Sequence, residues 1–165
     1  MMKIIGIVLI ALSIVALGYL YYINLQYRQK ELVFFTKLIS EYQTRLKWYQ
    51  DSLAEVICEF KYDDFTEYIS EVNNHLSECN YLDSFAKNNE NYNKFHLSID
   101  DKKVIENFLK YTGKFGLDSE IELCNKTLKE LETLKTEAET KFKNRGPFYI
   151  KLSVTIGLLI IILLF

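Results

Sequence analysis

Every acidic side chain of this chain lies between Glu31 and Glu139, and both ends are almost free of charge. Residues 1–24 hold one charged side chain, Lys3, and residues 147–165 hold one, Lys151. A single globular core mixes charge along its whole length. This partition instead predicts two apolar ends around a polar middle.

The N-terminal stretch Ile4–Leu25 gives 22 residues without a charge. At 1.5 Å of helical rise per residue it spans roughly 30 Å, the thickness of a hydrocarbon layer. Tyr19, Tyr21 and Tyr22 follow as an interfacial aromatic belt. A cleaved signal peptide is the competing reading. It is disfavoured by the length of the run, by the lack of an A-x-A site and by the bulky tyrosines that follow. The C-terminal run Leu152–Phe165 has 14 residues without a charge, or 19 if counted from Pro147, with Lys151 able to snorkel. Leu158–Phe165 is apolar all round, which argues for a span over an amphipathic core helix. The carboxylate would then sit at the far interface.

Basic residues set the orientation. Arg28, Lys30, Lys37, Arg45, Lys129, Lys135, Lys141, Lys143 and Arg145 all lie on the middle side of the two spans, against Lys3 beyond them. The positive-inside rule therefore places the middle in the cytoplasm and both termini across the membrane. The expected organisation is a transmembrane segment over 1–25, a cytoplasmic helical bundle over 26–146 and a second transmembrane segment over 147–165.

The middle reads as helix. Its apolar residues Leu32, Phe35, Ile39, Tyr42, Leu46 and Tyr49 alternate spacings of three and four, so the first span is expected to continue into this helix. Ser52 is placed to cap a short helix bearing Leu53, Val56, Ile57 and Phe60. Asp63 or Asp64 is expected to cap the next, with Phe65, Tyr68, Ile69, Val72 and Leu76 inward. Tyr81, Leu82 and Phe85 form a brief turn. The asparagine-rich KNNENYNKFH is expected to be a loop, and Ser98 opens a helix with Val104, Ile105, Phe108 and Leu109. In YTGKFGLDSEIE, Gly113 or Gly116 ends that helix and Asp118 caps the last one. The last helix runs to about Asn144 on the stripe Ile121, Cys124, Leu128, Leu131, Ala138 and Phe142. Gly146-Pro147, holding the sole proline, is expected to break or kink the chain before the second span.

Signals for chemistry are weak. GKFG lacks the spacing of a phosphate loop and no strand precedes it. Asp63-Asp64 and Asp100-Asp101 fit capping better than metal binding. His75 and His96 are too scattered to form a metal site with Cys58, Cys79 and Cys124, which read as reduced, buried thiols. With a net charge of −2, no basic groove accompanies the aromatics, so nucleic acid is not expected. No enzyme, cofactor or metal is expected, and binding is the activity that remains.

Residues 105–132, IENFLKYTGKFGLDSEIELCNKTLKELE, followed by the apolar tail, resemble the stage III sporulation protein AB family in its helix, glycine turn and long penultimate helix. Residues 38–57 are a weaker match. There Arg45-Leu46-Lys47-Trp48 and Ser52-Leu53-Ala54-Glu55-Val56 keep the apolar and aromatic positions, Leu53 and Glu55, but lack a glutamate and a proline usual in the family. The family is similar to the cytoplasmic domain of the inner-membrane platform protein F of type II secretion and type IV pilus machines. The resemblance implies an all-α fold: a compact bundle of about six helices flanked by N- and C-terminal transmembrane helices. It implies a non-enzymatic platform in the mother-cell-to-forespore channel complex of endospore formers. The protein would sit in the outer forespore membrane with its domain in the mother-cell cytoplasm, docking the complex's secretion-type ATPase, joining membrane neighbours and possessing scope for self-association. Candidate contact residues are Gly113, Lys114, Phe115, Gly116 and Asp118, with the polar segment 87–97 as a second surface. A membrane-tethered coiled-coil spacer of an envelope or division structure is the alternative, built on residues 25–50 and 118–144.

Overall fold

The structure is a computed structural model that describes residues 2–76, 80–87 and 89–164. Cys79, Asn88 of the asparagine-rich segment and Phe165 lie outside the described residues. Among the described residues there is helix and no strand. The elements are α1 (Met2–Tyr49), α2 (Leu53–Glu59), a 3-10 turn (Asp63–Phe65), α3 (Thr66–His75), a π turn (Asp83–Lys87), α4 (Glu90–Asn93), α5 (Ile99–Tyr111) and α6 (Leu117–Leu164). The chain forms two compact units. One comprises the described residues up to Gln29 with those from Glu137 onward, and the other spans Lys30–Thr136.

The first unit is an antiparallel helix pair. Ala11 packs near Gly157, Gly18 near Ser153, and Tyr22 near Gly146. A Cβ built on Gly18 would lie 2.2 Å from Ser153 Oγ, so the two backbones approach as closely as only glycine allows. Tyr21 meets Tyr149 with ring centroids 4.3 Å apart, and Tyr22 meets Phe142 at 5.2 Å. Outside this seam the apolar side chains are exposed, among them Leu9, Leu12, Leu17, Leu20, Ile162 and Leu163. The core helix of a soluble protein hides such residues; these two helices are long and apolar enough to cross a membrane.

The expected break at Gly146-Pro147 is absent, and α6 continues 20 residues past the predicted end at Asn144, to Leu164. Proline removes one helical hydrogen bond, that to the Lys143 carbonyl. Neighbouring contacts hold the helix through this point: the Tyr22 ring lies 3.0 Å from where a Cβ of Gly146 would sit. The first span does run without a loop into the next helix, within α1.

Among the described residues the second unit is a bundle of six α-helical pieces, the C-terminal part of α1, α2 to α5, and the N-terminal part of α6, together with the 3-10 and π turns. Leu32, Phe35, Ile39, Tyr42 and Leu46 of the predicted seam are buried. Tyr49 is not; it is 76% exposed because Gln50, at φ 58°, turns the chain out of the helix one residue later. An aromatic core fills the centre. Phe34 stacks on Phe65 at 4.5 Å, and Tyr68, with Phe95 at 4.9 Å, donates its hydroxyl to the Phe85 carbonyl at 2.9 Å. Such pairs add to the burial of their large apolar area.

Caps fix where the helices start. Ser52 and Glu55 form a reciprocal capping box on α2, and Ser98 and Asp101 form another on α5. Neither Asp63 nor Asp64 caps α3, which follows directly from the 3-10 turn with Phe65 at its N-cap position. Leu76, expected inward, is only half-buried. The asparagine-rich segment is more ordered than a loop. Asn89 is fully buried and its side-chain oxygen accepts from the backbone N–H groups of Asn91 and Tyr92, nucleating α4. Cys124 is buried, and burial pushes its thiol up to about 12. Cys58, expected inside, is exposed on the outer face of α2.

Candidate functional site

The predicted contact turn lies between α5 and α6. Thr112 closes α5, its N–H donating to the Phe108 carbonyl at 2.9 Å and its hydroxyl to the same carbonyl at 2.8 Å. The chain then reverses through Gly113 at φ 77°, a conformation that costs a residue with a Cβ. Lys114, Phe115, Gly116 and Asp118 are all exposed. Asp118 does not cap α6. That helix starts one residue before it, and the Gly116 carbonyl accepts the first helical bond, from Glu120 N–H at 3.0 Å.

Glu120 ties this turn to the bundle. It is 3% exposed, and its Oε1 accepts from the Gly113 N–H at 2.9 Å and from the Tyr42 hydroxyl at 3.1 Å. Its place in the first turn of α6 sets the carboxylate at the positive end of the helix. Burial, and then the neighbouring Glu120, push the Tyr42 hydroxyl well above the ordinary phenol range, so Tyr42 stays a donor. The other oxygen of Glu120, Oε2, is buried and has no hydrogen-bond partner.

Opposite the turn stands the end of α1. An open cleft of about 250 Å³ separates the two, lined by Tyr42, Leu46, Gln50, Ser52, Phe115 and Glu120 among others. The segments that form it carry exposed aromatics. Trp48 is 78% exposed, and Tyr49, Tyr111 and Phe115 project as well. Tyr111 and Phe115 stack, with centroids 6.1 Å apart and planes at 26°. Arg45, half-buried beside this end of α1, is already engaged by Glu41, Asp51 and Glu59.

The second candidate surface, the polar 87–97 segment, is pinned down. The Glu71 carboxylate of α3 accepts from the Glu90 N–H and from Asn91 Nδ2, both at 2.8 Å, and Tyr92 is buried against Phe35. At its end, Glu31 accepts from the backbone N–H of His96 at 3.0 Å. Glu31 is 3% exposed, and burial raises its carboxyl above the ordinary range against the opposing pull of His96 and Lys102. Among the described residues no three His, Cys, Asp or Glu side chains converge as a metal site requires.

The structure therefore keeps Gly113, Lys114, Phe115 and Gly116 together on one exposed turn and adds groups that sequence reasoning did not assign to it. Tyr42 was legible only as a seam residue and Glu120 only as a helix-start acid. Trp48 and Gln50 gave no signal for a site. Compared with known families, residues 3–165 match the family model described as stage III sporulation protein AB. No curated protein and no solved structure matches the chain.

Proposed function

Because the chain belongs to the stage III sporulation protein AB family, which gives it a role in stage III of sporulation, we propose that it is a non-enzymatic membrane platform. Its two apolar helices anchor it in the outer forespore membrane. Its helical bundle faces the mother-cell cytoplasm and docks the secretion-type ATPase of the mother-cell-to-forespore channel complex. The observation that carries the docking reading is the set of exposed rings on the two segments that flank one cleft: Trp48, Tyr49, Tyr111 and Phe115. Aromatic side chains grouped on an otherwise polar surface are the usual anchors of protein interfaces. The orientation is supported by the basic residues clustered on the middle side of both apolar runs. A coiled-coil spacer has less support, since a spacer needs neither the short helices α2 to α5 nor the aromatic core they enclose.

The test is capture of the purified ATPase by the full chain reconstituted in detergent, compared with a Trp48→Ala/Phe115→Ala variant. Both substituted side chains are exposed, so the fold should persist. Retention by the natural chain and loss by the variant are expected, together with failed sporulation when the chain is deleted. No retention by the natural chain, with normal sporulation in the deletion strain, would overturn the proposal.

A further inference from the structure

We propose that the cleft between the end of α1 and the Gly113–Gly116 turn is a receptor for one basic side chain, lysine or arginine, of a protein partner, with Glu120 as its counter-ion. The inference does not depend on which protein docks. It starts from an imbalance. A buried carboxylate is stable when cations or several donors surround it, and it has room for about four hydrogen bonds. Glu120 has two donors, Tyr42 and Gly113, both on Oε1. Its Oε2 has none, and among the described residues no ammonium or guanidinium pairs with it. Arg45, on the same end of α1, is held by three other carboxylates.

Glu120 is among the residues that line an open cleft rather than a closed cavity, and its Oε2 is itself covered from solvent. The walls suit a long basic side chain. Leu46 and the exposed Phe115 offer apolar surface to its methylenes. Gln50 and Ser52 add neutral polar groups, and Asp51 between them adds a carboxylate that is already paired with Arg45 at 3.7 Å. An anion would meet Glu120 with no cation to offset it, and a wholly apolar group would leave Oε2 unsatisfied. A guanidinium, with its planar fork of donors, satisfies the carboxylate best, and an ammonium next.

The experiment is a ligand-observed NMR titration of the full chain in nanodiscs of zwitterionic lipid, with empty discs as the blank. The probes are N-acetyl-arginine amide, N-acetyl-lysine amide and the neutral N-acetyl-citrulline amide. Saturable binding of the two basic probes is expected, with the citrulline probe weaker by about tenfold or more. Glu120→Gln, which keeps the shape and an acceptor for Tyr42 and Gly113, should weaken the arginine probe by a similar factor. Glu67→Gln, an exposed acid on α3, should not. Should Glu120→Gln fail to fold, Phe115→Ala decides, because its side chain is exposed and its loss removes the cleft wall. The proposal is overturned by absence of saturable binding, by equal binding of the citrulline probe, or by a folded Glu120→Gln or Phe115→Ala variant that binds as the natural chain does.

Discussion

At the scale of single residues, the bundle holds two carboxylates almost out of water, and they are treated differently. Glu120 takes donors from a turn and a tyrosine, whereas Glu31 sits against His96 with burial dominating its titration. A carboxyl whose folded value is raised binds its proton more tightly in the folded state. Its contribution to stability is then full below the ordinary carboxylate range and is lost as pH rises through the raised folded value. Both proteins in the comparison should carry His96→Gln, so that the imidazole does not contribute. The stability of the chain with Glu31, relative to Glu31→Gln, should be greatest in acid and fall as pH rises above the ordinary carboxylate range. Denaturant unfolding at a series of pH values measures it, and a flat or rising difference would show that burial does not govern Glu31. Neither environment was readable beforehand. The Tyr42–Glu120 bond joins residues 78 apart in sequence, and no local pattern announces such a contact.

At the scale of elements, the starts of α2 and α5 were legible, whereas the expected aspartate caps on α3 and α6 and the start of α4 were not. Ser52-x-x-Glu55 and Ser98-x-x-Asp101 are local signals with local hydrogen bonds, and the structure forms both boxes. Replacing Ser52 by Ala should cost about 1 kcal/mol of unfolding free energy, read as a lower denaturation midpoint with unchanged slope. No change would mean that the box is redundant with the packing of Leu53, Val56 and Ile57. The glycine turn was legible as Gly113 or Gly116, and it is Gly113 that takes the positive φ. The Pro147 break failed because tertiary packing at Tyr22 and Gly146 outweighed one lost hydrogen bond. The asparagine-rich segment failed because Asn89 finds local backbone partners and Tyr92 an aromatic core supplied by α1 and α3. The helix pair of the anchor offers its own check. A Cβ on Gly157 would lie 3.9 Å from the Ala11 Cβ, within the range that a disulfide spans. With native cysteines replaced, Ala11→Cys/Gly157→Cys should cross-link under mild oxidation in membranes. Leu12→Cys/Leu158→Cys, at exposed positions, should not. The opposite pattern would place a different face of each helix in the seam.

At the scale of the whole molecule, the charge partition carried the most information. Twenty-two acidic residues confined to one stretch, with uncharged runs on either side, made the all-helical fold with long apolar terminal helices readable before any contact was known. The proposed docking cleft was not readable, because it lies at the juncture of the end of α1 with a turn about 65 residues later in the chain. The central claim is that the bundle lies in the cytoplasm, where an ATPase can reach it. Asn93 is exposed in α4, whereas its neighbour Asn91 is tied to Glu71, so Asn93 is the position to probe. The most direct measurement places one cysteine there, in a chain otherwise free of cysteine, and treats intact and lysed bacterial cells with a membrane-impermeant thiol reagent. Labelling only after lysis is the expected result, and labelling in intact cells would put the bundle outside and contradict the platform.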